Sequence, residues 1–208
     1  MESDPAGSGA EPRRPGLLER LRGSELARTV LYDIDHFAEE GEPVDWPLSL
    51  PSGAPLTWIG SASTGSAYLL CGTGEHDPVV YYEGDGGYVQ VLGRDLTEAL
   101  ELLIGVPDLL DLEIPLRSRG VEEAAAQHER SRNRSAPNIP DDSADHPRDW
   151  NEVHALLAAE LGVRALPVRE LLQRFIATSV APPDGTTLLW EDMSGEFLTV
   201  EHWAPEWC

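Results

Sequence analysis

Residues 79–104 read VVYYEGDGGYVQVLGRDLTEALELLI, and this stretch decides the fold class. Val79–Tyr82 and Tyr88–Leu92 are runs of β-branched, aromatic and aliphatic side chains that suit strands. Between them, Glu83-Gly84-Asp85-Gly86-Gly87 supplies glycines that reach the positive φ of a tight hairpin. At Asp95 the period changes. Asp95-Leu96-Thr97-Glu98 offers an N-cap oxygen with a glutamate three residues on, and Leu96, Ala99, Leu100 and Leu103 share one helical face.

Upstream, Leu56–Ile59 and Ala67–Cys71 are two further strand-like runs. Four strands followed by a helix predict an α+β fold, with an antiparallel sheet of about four to six strands and helices packed on one side. Leu17, Leu18, Leu21, Leu26, Val30 and Leu31 predict a helix broken at Gly23-Ser24. Val44, Trp46, Leu48 and Leu50 alternate as an edge strand would, but prolines at 43, 47 and 51 punctuate the run. Downstream, Pro107–Leu112 reads as a short helical turn and Val121–Arg132 as a helix. Trp150, Val153, Leu156, Leu157 and Leu161 mark a helix stopped by Gly162 in a left-handed cap. Pro167 suits the first turn of another, carrying Leu171, Leu172, Phe175 and Ile176. Thr186–Trp190 and Glu196–Val200, joined through Ser194-Gly195, resemble a closing hairpin.

The organisation expected is a disordered tail at 1–15, an α+β domain at 16–115, and a helix with a Pro/Asp/Ser-rich linker at 116–148. A helical segment with a C-terminal hairpin at 149–208 follows, either a separate lobe or part of the same domain. The N-terminus lacks the apolar run of a signal peptide and no stretch approaches a membrane span, so a cytoplasmic protein away from membranes is expected.

Charge narrows the partners. The chain of 208 residues carries 15 basic and 37 acidic side chains, net −22. Every basic residue is arginine, which excludes Lys Schiff bases, P-loop lysines and Ser–Lys dyads. Residues 32–115 hold sixteen acids against Arg94 alone. Such a field repels nucleic acid and anionic lipid and attracts basic proteins.

Catalytic signatures are missing: no Gly-x-Ser-x-Gly, His-Glu-x-x-His, Walker or EF-hand pattern occurs. Gly60-Ser61-Ala62-Ser63-Thr64-Gly65 is a loop without the basic residue and helix of a phosphate cradle. Asp33, Asp35 and His36 together are formally adequate for a divalent cation, but a solvated acidic face explains them more simply. The six histidines show no metal spacing, with His154 half-buried on a helix. Cys71, at a strand end, suits a small buried hydrophobe. No catalytic, cofactor-binding or metal-binding residue is therefore expected, and no cofactor. Of the aromatics Trp46, Trp58, Tyr68, Tyr81, Tyr82, Tyr88, Trp190, Trp203 and Trp207, alternation sends about half to the core and leaves two or three for an interface. Glu83, Asp85 and Tyr88 at the hairpin, with Asp33 and Asp35, form the expected partner-binding surface. No internal partner for these acids is evident in the sequence.

Residues 57–104 resemble the SUKH superfamily, the Smi/Knr-like proteins that include many bacterial immunity proteins against secreted toxins. The resemblance lies in the apolar residue before Ile59-Gly60, the Gly/Ser gap into Tyr68-Leu69-Leu70, the strand Pro78-Val79-Val80-Tyr81-Tyr82 with its acidic hairpin, and the helix from Asp95. The family's Gly-Gly-Asp before the strand is Gly65-Ser66 here, and its Phe-x-x-Phe-Leu is Leu96-x-x-Ala99-Leu100. The resemblance implies a non-catalytic, immunity-type inhibitor that neutralises a cognate, basic toxin domain. The alternatives are a hydrolase or metal-dependent enzyme using Asp33, Asp35 and His36, and a structural or adaptor protein.

Overall fold

The computed structural model describes residues 15–35, 47–62, 66–84, 87–132 and 149–205. Along the chain run α1 (Leu17–Gly23), α2 (Glu25–Asp35), β1 (Leu48–Ser49), β2 (Thr57–Ala62), β3 (Ser66–Leu70), β4 (Val79–Glu83), β5 (Tyr88–Gly93) and α3 (Leu96–Gly105). A 3-10 turn at Leu110–Leu112 leads into α4 (Glu113–Arg119) and α5 (Val121–Arg132), then α6 (Trp150–Leu161), α7 (Val168–Val180), β6 (Leu189–Glu191), β7 (Phe197–Thr199) and β8 (Glu201–His202). The fold is α+β. The tail at 1–14, the linker at 133–148, and Trp46, His36, Asp85 and Trp207 lie outside the described residues.

The four expected strands form an antiparallel meander, β2-β3-β4-β5, with Tyr81 opposite Gln90 and Glu83 opposite Tyr88 across the hairpin. Gly87 takes φ +65°, the left-handed geometry the turn needs, and its N–H donates to the Glu83 carbonyl. A fifth strand, β8, adds parallel beside β5, so the end of the chain belongs to the main sheet. β1, β6 and β7 form a separate three-stranded sheet. The closing hairpin is present as β6–β7; of the Pro-punctuated run, the described part joins a sheet at Leu48–Ser49, at its edge.

Both faces of the main sheet are covered, which is why its strands read as nearly unbroken apolar runs. Ile59, Tyr68, Leu70, Val79, Tyr81 and Leu92 face the helices and share one core with α1, α2, α3, α5, α6 and α7. Ala67, Leu69, Val80, Tyr82, Val89 and Val91 face the other way, onto Leu50, Leu188 and Val200 around the small sheet. Each such side chain gains roughly 1.5–3 kcal/mol from burial.

The helices start and stop where their caps say. Ser24 breaks the first pair and its Oγ accepts from Ala27 N–H. Asp95 caps α3 by accepting from Glu98 N–H, and Asp149 caps α6 from Glu152 N–H. Gly162 ends α6 at φ +67°, ψ 31°. Pro167 precedes α7 as its cap residue, one position ahead of the expected first turn. α3 departs from the single apolar face expected: Leu102 and Ile104 are buried as well as Leu96, Ala99, Leu100 and Leu103. The helix lies between the sheet and α1, α6 and α7, so both its sides meet protein.

Candidate functional site

The hairpin predicted to meet a partner turns part of its chemistry inward. Tyr81 is buried, and its hydroxyl donates to Glu83 Oε2 at 2.7 Å. The Tyr88 hydroxyl donates to Glu113 Oε2 at 2.7 Å, and Trp203 Nε1 donates to the other oxygen of the same carboxylate at 3.0 Å. Burial, followed by that carboxylate, pushes the Tyr88 phenol above its ordinary range, so it stays a protonated donor. Glu83 and Tyr88 thus have internal partners the sequence did not reveal, and both remain partly exposed. Asp33 and Asp35 sit on the last turn of α2, while their side chains, like Asp85 and His36, lie outside the described residues. Tyr68, Tyr81, Tyr82 and Trp203 are buried. Trp190 is half-buried, stacked on Tyr82 at 6.0 Å between ring centres.

Three acids of the block at 32–115, Glu75, Glu98 and Glu101, are likewise tied into the fold. Glu75 accepts from Leu18 N–H at 2.8 Å, and Glu98 pairs with Arg94. Glu101 is 1% exposed and receives Arg164 Nε at 2.8 Å together with Arg174. Burial alone would raise its carboxyl; the two guanidiniums outweigh that and hold it below the usual carboxylate range.

Beside Glu101 the helices bring together residues that no sequence spacing connects. Asp108, after α3, meets His128 Nδ1 on α5. Arg132, one turn on, donates from its guanidinium to His154 Nδ1 on α6 at 3.2 Å. Since a guanidinium only donates, His154 carries its proton on Nε2; since His128 Nδ1 faces a carboxylate, that nitrogen is the donor. Both Nε2 atoms are buried without a hydrogen-bond partner. His154 is 6% exposed rather than half-buried, and burial, then the nearby Arg132 and His128, lower it to about 3. A cavity of about 230 Å³, lined by Glu101, Arg132, Asn151, His154 and Arg164 among others, opens beside it.

This arrangement suits packing better than proton transfer. His128 is fully buried, and a base without a path to substrate cannot act on it. Burial and then Asp77 push the Cys71 thiol up to about 12, so it stays protonated and unreactive at neutral pH. Among the described residues no three His, Cys, Asp or Glu side chains are placed to hold a metal ion. The same residues contain no helix long and apolar enough to cross a membrane.

The small sheet is the opposite case. Residues 191 and 193–199 are exposed throughout, and Phe197 and Leu198 on β7 are 57% and 53% exposed, with Met193 at the turn fully so. The Asp192 carboxylate accepts from the Ser194 hydroxyl and from the Ser194 and Glu196 N–H groups. These bonds hold it below its ordinary range and therefore ionised. No arginine or lysine follows Arg174 in the chain. Trp and Tyr do not mark this surface; among the described residues its exposed aromatic is Phe197. The signal was present in the run of acids without arginine after residue 174.

No family model matches the chain, and no curated protein or solved structure matches it either.

Proposed function

We propose that this chain is a non-catalytic protein-binding module, an immunity-type inhibitor of the SUKH kind that neutralises a basic toxin domain in the cytoplasm. The observation that carries this reading is the division of charge over the fold. Arginines pair with Glu101 and Glu122 on the helical side, whereas the small sheet presents Glu191, Asp192 and Glu196 with no arginine beyond residue 174. Exposed apolar side chains lie among those acids. Charge of one sign speeds encounter with a cationic surface, and desolvated apolar contacts slow its departure. A nuclease-like toxin is basic because it binds phosphate, so an acidic inhibitor competes for the same surface.

The test is to identify a toxin gene beside the gene for this chain and to co-express its toxin domain with the chain. Growth arrested by the toxin alone should recover when the chain is present, and the purified pair should associate more slowly as salt rises, because screening shortens the field to about 8 Å at physiological ionic strength. Arrest that persists in the presence of the folded chain would refute the proposal.

A further inference from the structure

The geometry of β7 says what kind of surface covers it. In an antiparallel pair, facing residues alternate between those that exchange hydrogen bonds and those that do not. Asp192 N–H donates to the Glu196 carbonyl and Val200 N–H to the Leu188 carbonyl, each at 2.9 Å. Trp190 faces Leu198 between them, so Leu198 is the bonded residue. The N–H and C=O groups of Phe197 and Thr199 therefore point away from β6, along the side where the three-stranded sheet ends. Successive side chains project to opposite faces, so Phe197 and Leu198 leave both faces of this edge apolar and open. Such an edge is a template for another strand.

The surrounding charge selects the strand. Glu191, Asp192 and Glu196 border the edge, with Glu191 on the face of Phe197 and Glu196 on the face of Leu198. A second copy would set these acids against their own kind on chains of net charge −22, and like charges across a strand pair are destabilising. We infer that β7 is a docking edge for an extended basic strand of a partner protein. That strand alternates arginine or lysine with aliphatic residues, pairs its main chain with Phe197 and Thr199, and sets its cations on the face of Glu196. The inference rests on the protein-binding reading and supplies the surface and the partner's chemistry.

The probe is a seven-residue peptide alternating lysine and valine, titrated into the full chain by fluorescence anisotropy, with an alternating glutamate–valine peptide as control. The lysine peptide should bind, the glutamate peptide should not, and amide exchange should slow at Phe197 and Thr199. Thr199→Pro removes an outward N–H and leaves the bonds to β6 in place; it should weaken binding about tenfold, the worth of roughly one hydrogen bond. Phe197→Ser, at an exposed position, serves the same purpose should the proline variant unfold. Equal binding of both peptides, protection confined to other segments, or full affinity in both variants would overturn the inference. So would a concentration-dependent dimer, seen by sedimentation, that Phe197→Ser dissolves, since a second copy would then own the edge. Growth rescue by Thr199→Pro equal to that of the unaltered chain removes this surface and spares the immunity reading. Failure of rescue by the unaltered chain removes that reading, and the peptide titration still decides the edge.

Discussion

The two faces of the main sheet are built on different terms. On the helical face, α1, α2, α3, α5, α6 and α7 enclose a broad core, and arginines answer the carboxylates: Arg164 and Arg174 at Glu101, Arg169 at Glu122, Arg130 at Glu123. On the other face a much smaller core lies under β1, β6 and β7, and the acids around it have no arginine from their own segment. The difference teaches where cohesion resides and why the proposed recognition surface is sought on the other side. Large enclosed area and matched charge stabilise one side, while the other leaves charge and apolar surface exposed.

The largest expected effect tests the asymmetry of the cores. Leu100→Ala, fully buried between helices and sheet, should lower unfolding free energy by about 3–4 kcal/mol, because crowded surroundings cannot close the cavity. Leu188→Ala, equally buried beneath the thin small sheet, should cost about 2 kcal/mol, since thinner cover collapses more easily. Equal denaturant midpoints for the two variants would erase the distinction.

Next comes the matched charge. Glu101→Ala strands Arg174, itself mostly covered, and should cost about 2–3 kcal/mol by equilibrium urea unfolding. The Glu101 carboxyl titrates lower in the fold than in the open chain. Its contribution is therefore complete above the unfolded value and lost as pH falls through the folded one. The penalty of Glu101→Ala should shrink in acid; a penalty constant from pH 7 to pH 3 would show that the pair is not what stabilises.

His154 supplies a third contrast, again on the helical side. With a folded value of about 3 and an ordinary value near 6.5, the unfolded chain binds the extra proton between those limits, so stability falls as pH drops through this window. From pH 6.5 to pH 5 the loss from this group approaches about 2 kcal/mol. His154→Gln should flatten the slope of stability against pH there. His202, on β8, is lowered by burial in the same direction, so His202→Gln should remove a further part of that slope. An unchanged slope in the double variant would place the acid sensitivity elsewhere.

The smallest effect is expected at the open edge. Phe197→Ser and Leu198→Ser remove side chains more than half exposed and should change the melting free energy by no more than about 0.5 kcal/mol. A loss several times larger would mean that β7 is held by something in the isolated chain, and the contrast between the faces would fail.

Much of the architecture was legible in local signals. The switch at Asp95, the break at Ser24 and the stop at Gly162 are decided by capping and glycine geometry within a few residues, so they read directly from the chain. The separation of residues 149–208 from 16–115 did not resolve that way. β8 joins β5 and α7 packs on the same sheet through contacts more than seventy residues apart, and no local period encodes them. For the candidate surface the sequence shows an excess of acid but not the internal partners of Glu83 and Tyr88, which come from side-chain contacts.

By itself the sequence determined the α+β class, the order of strands and helices from Leu56 onward except α4 and β8, the acidic character and the absence of familiar catalytic patterns. These depend on side-chain type, short-range spacing and composition, all of which survive without coordinates. Only the tertiary structure decided which carboxylates are spent inside the molecule, that Asp108 meets His128, and that β7 stands uncovered with its edge outward. The reason is physical: whether a charge is free or paired depends on what arrives from distant parts of the chain, and Glu101 is matched by arginines 63 and 73 residues away.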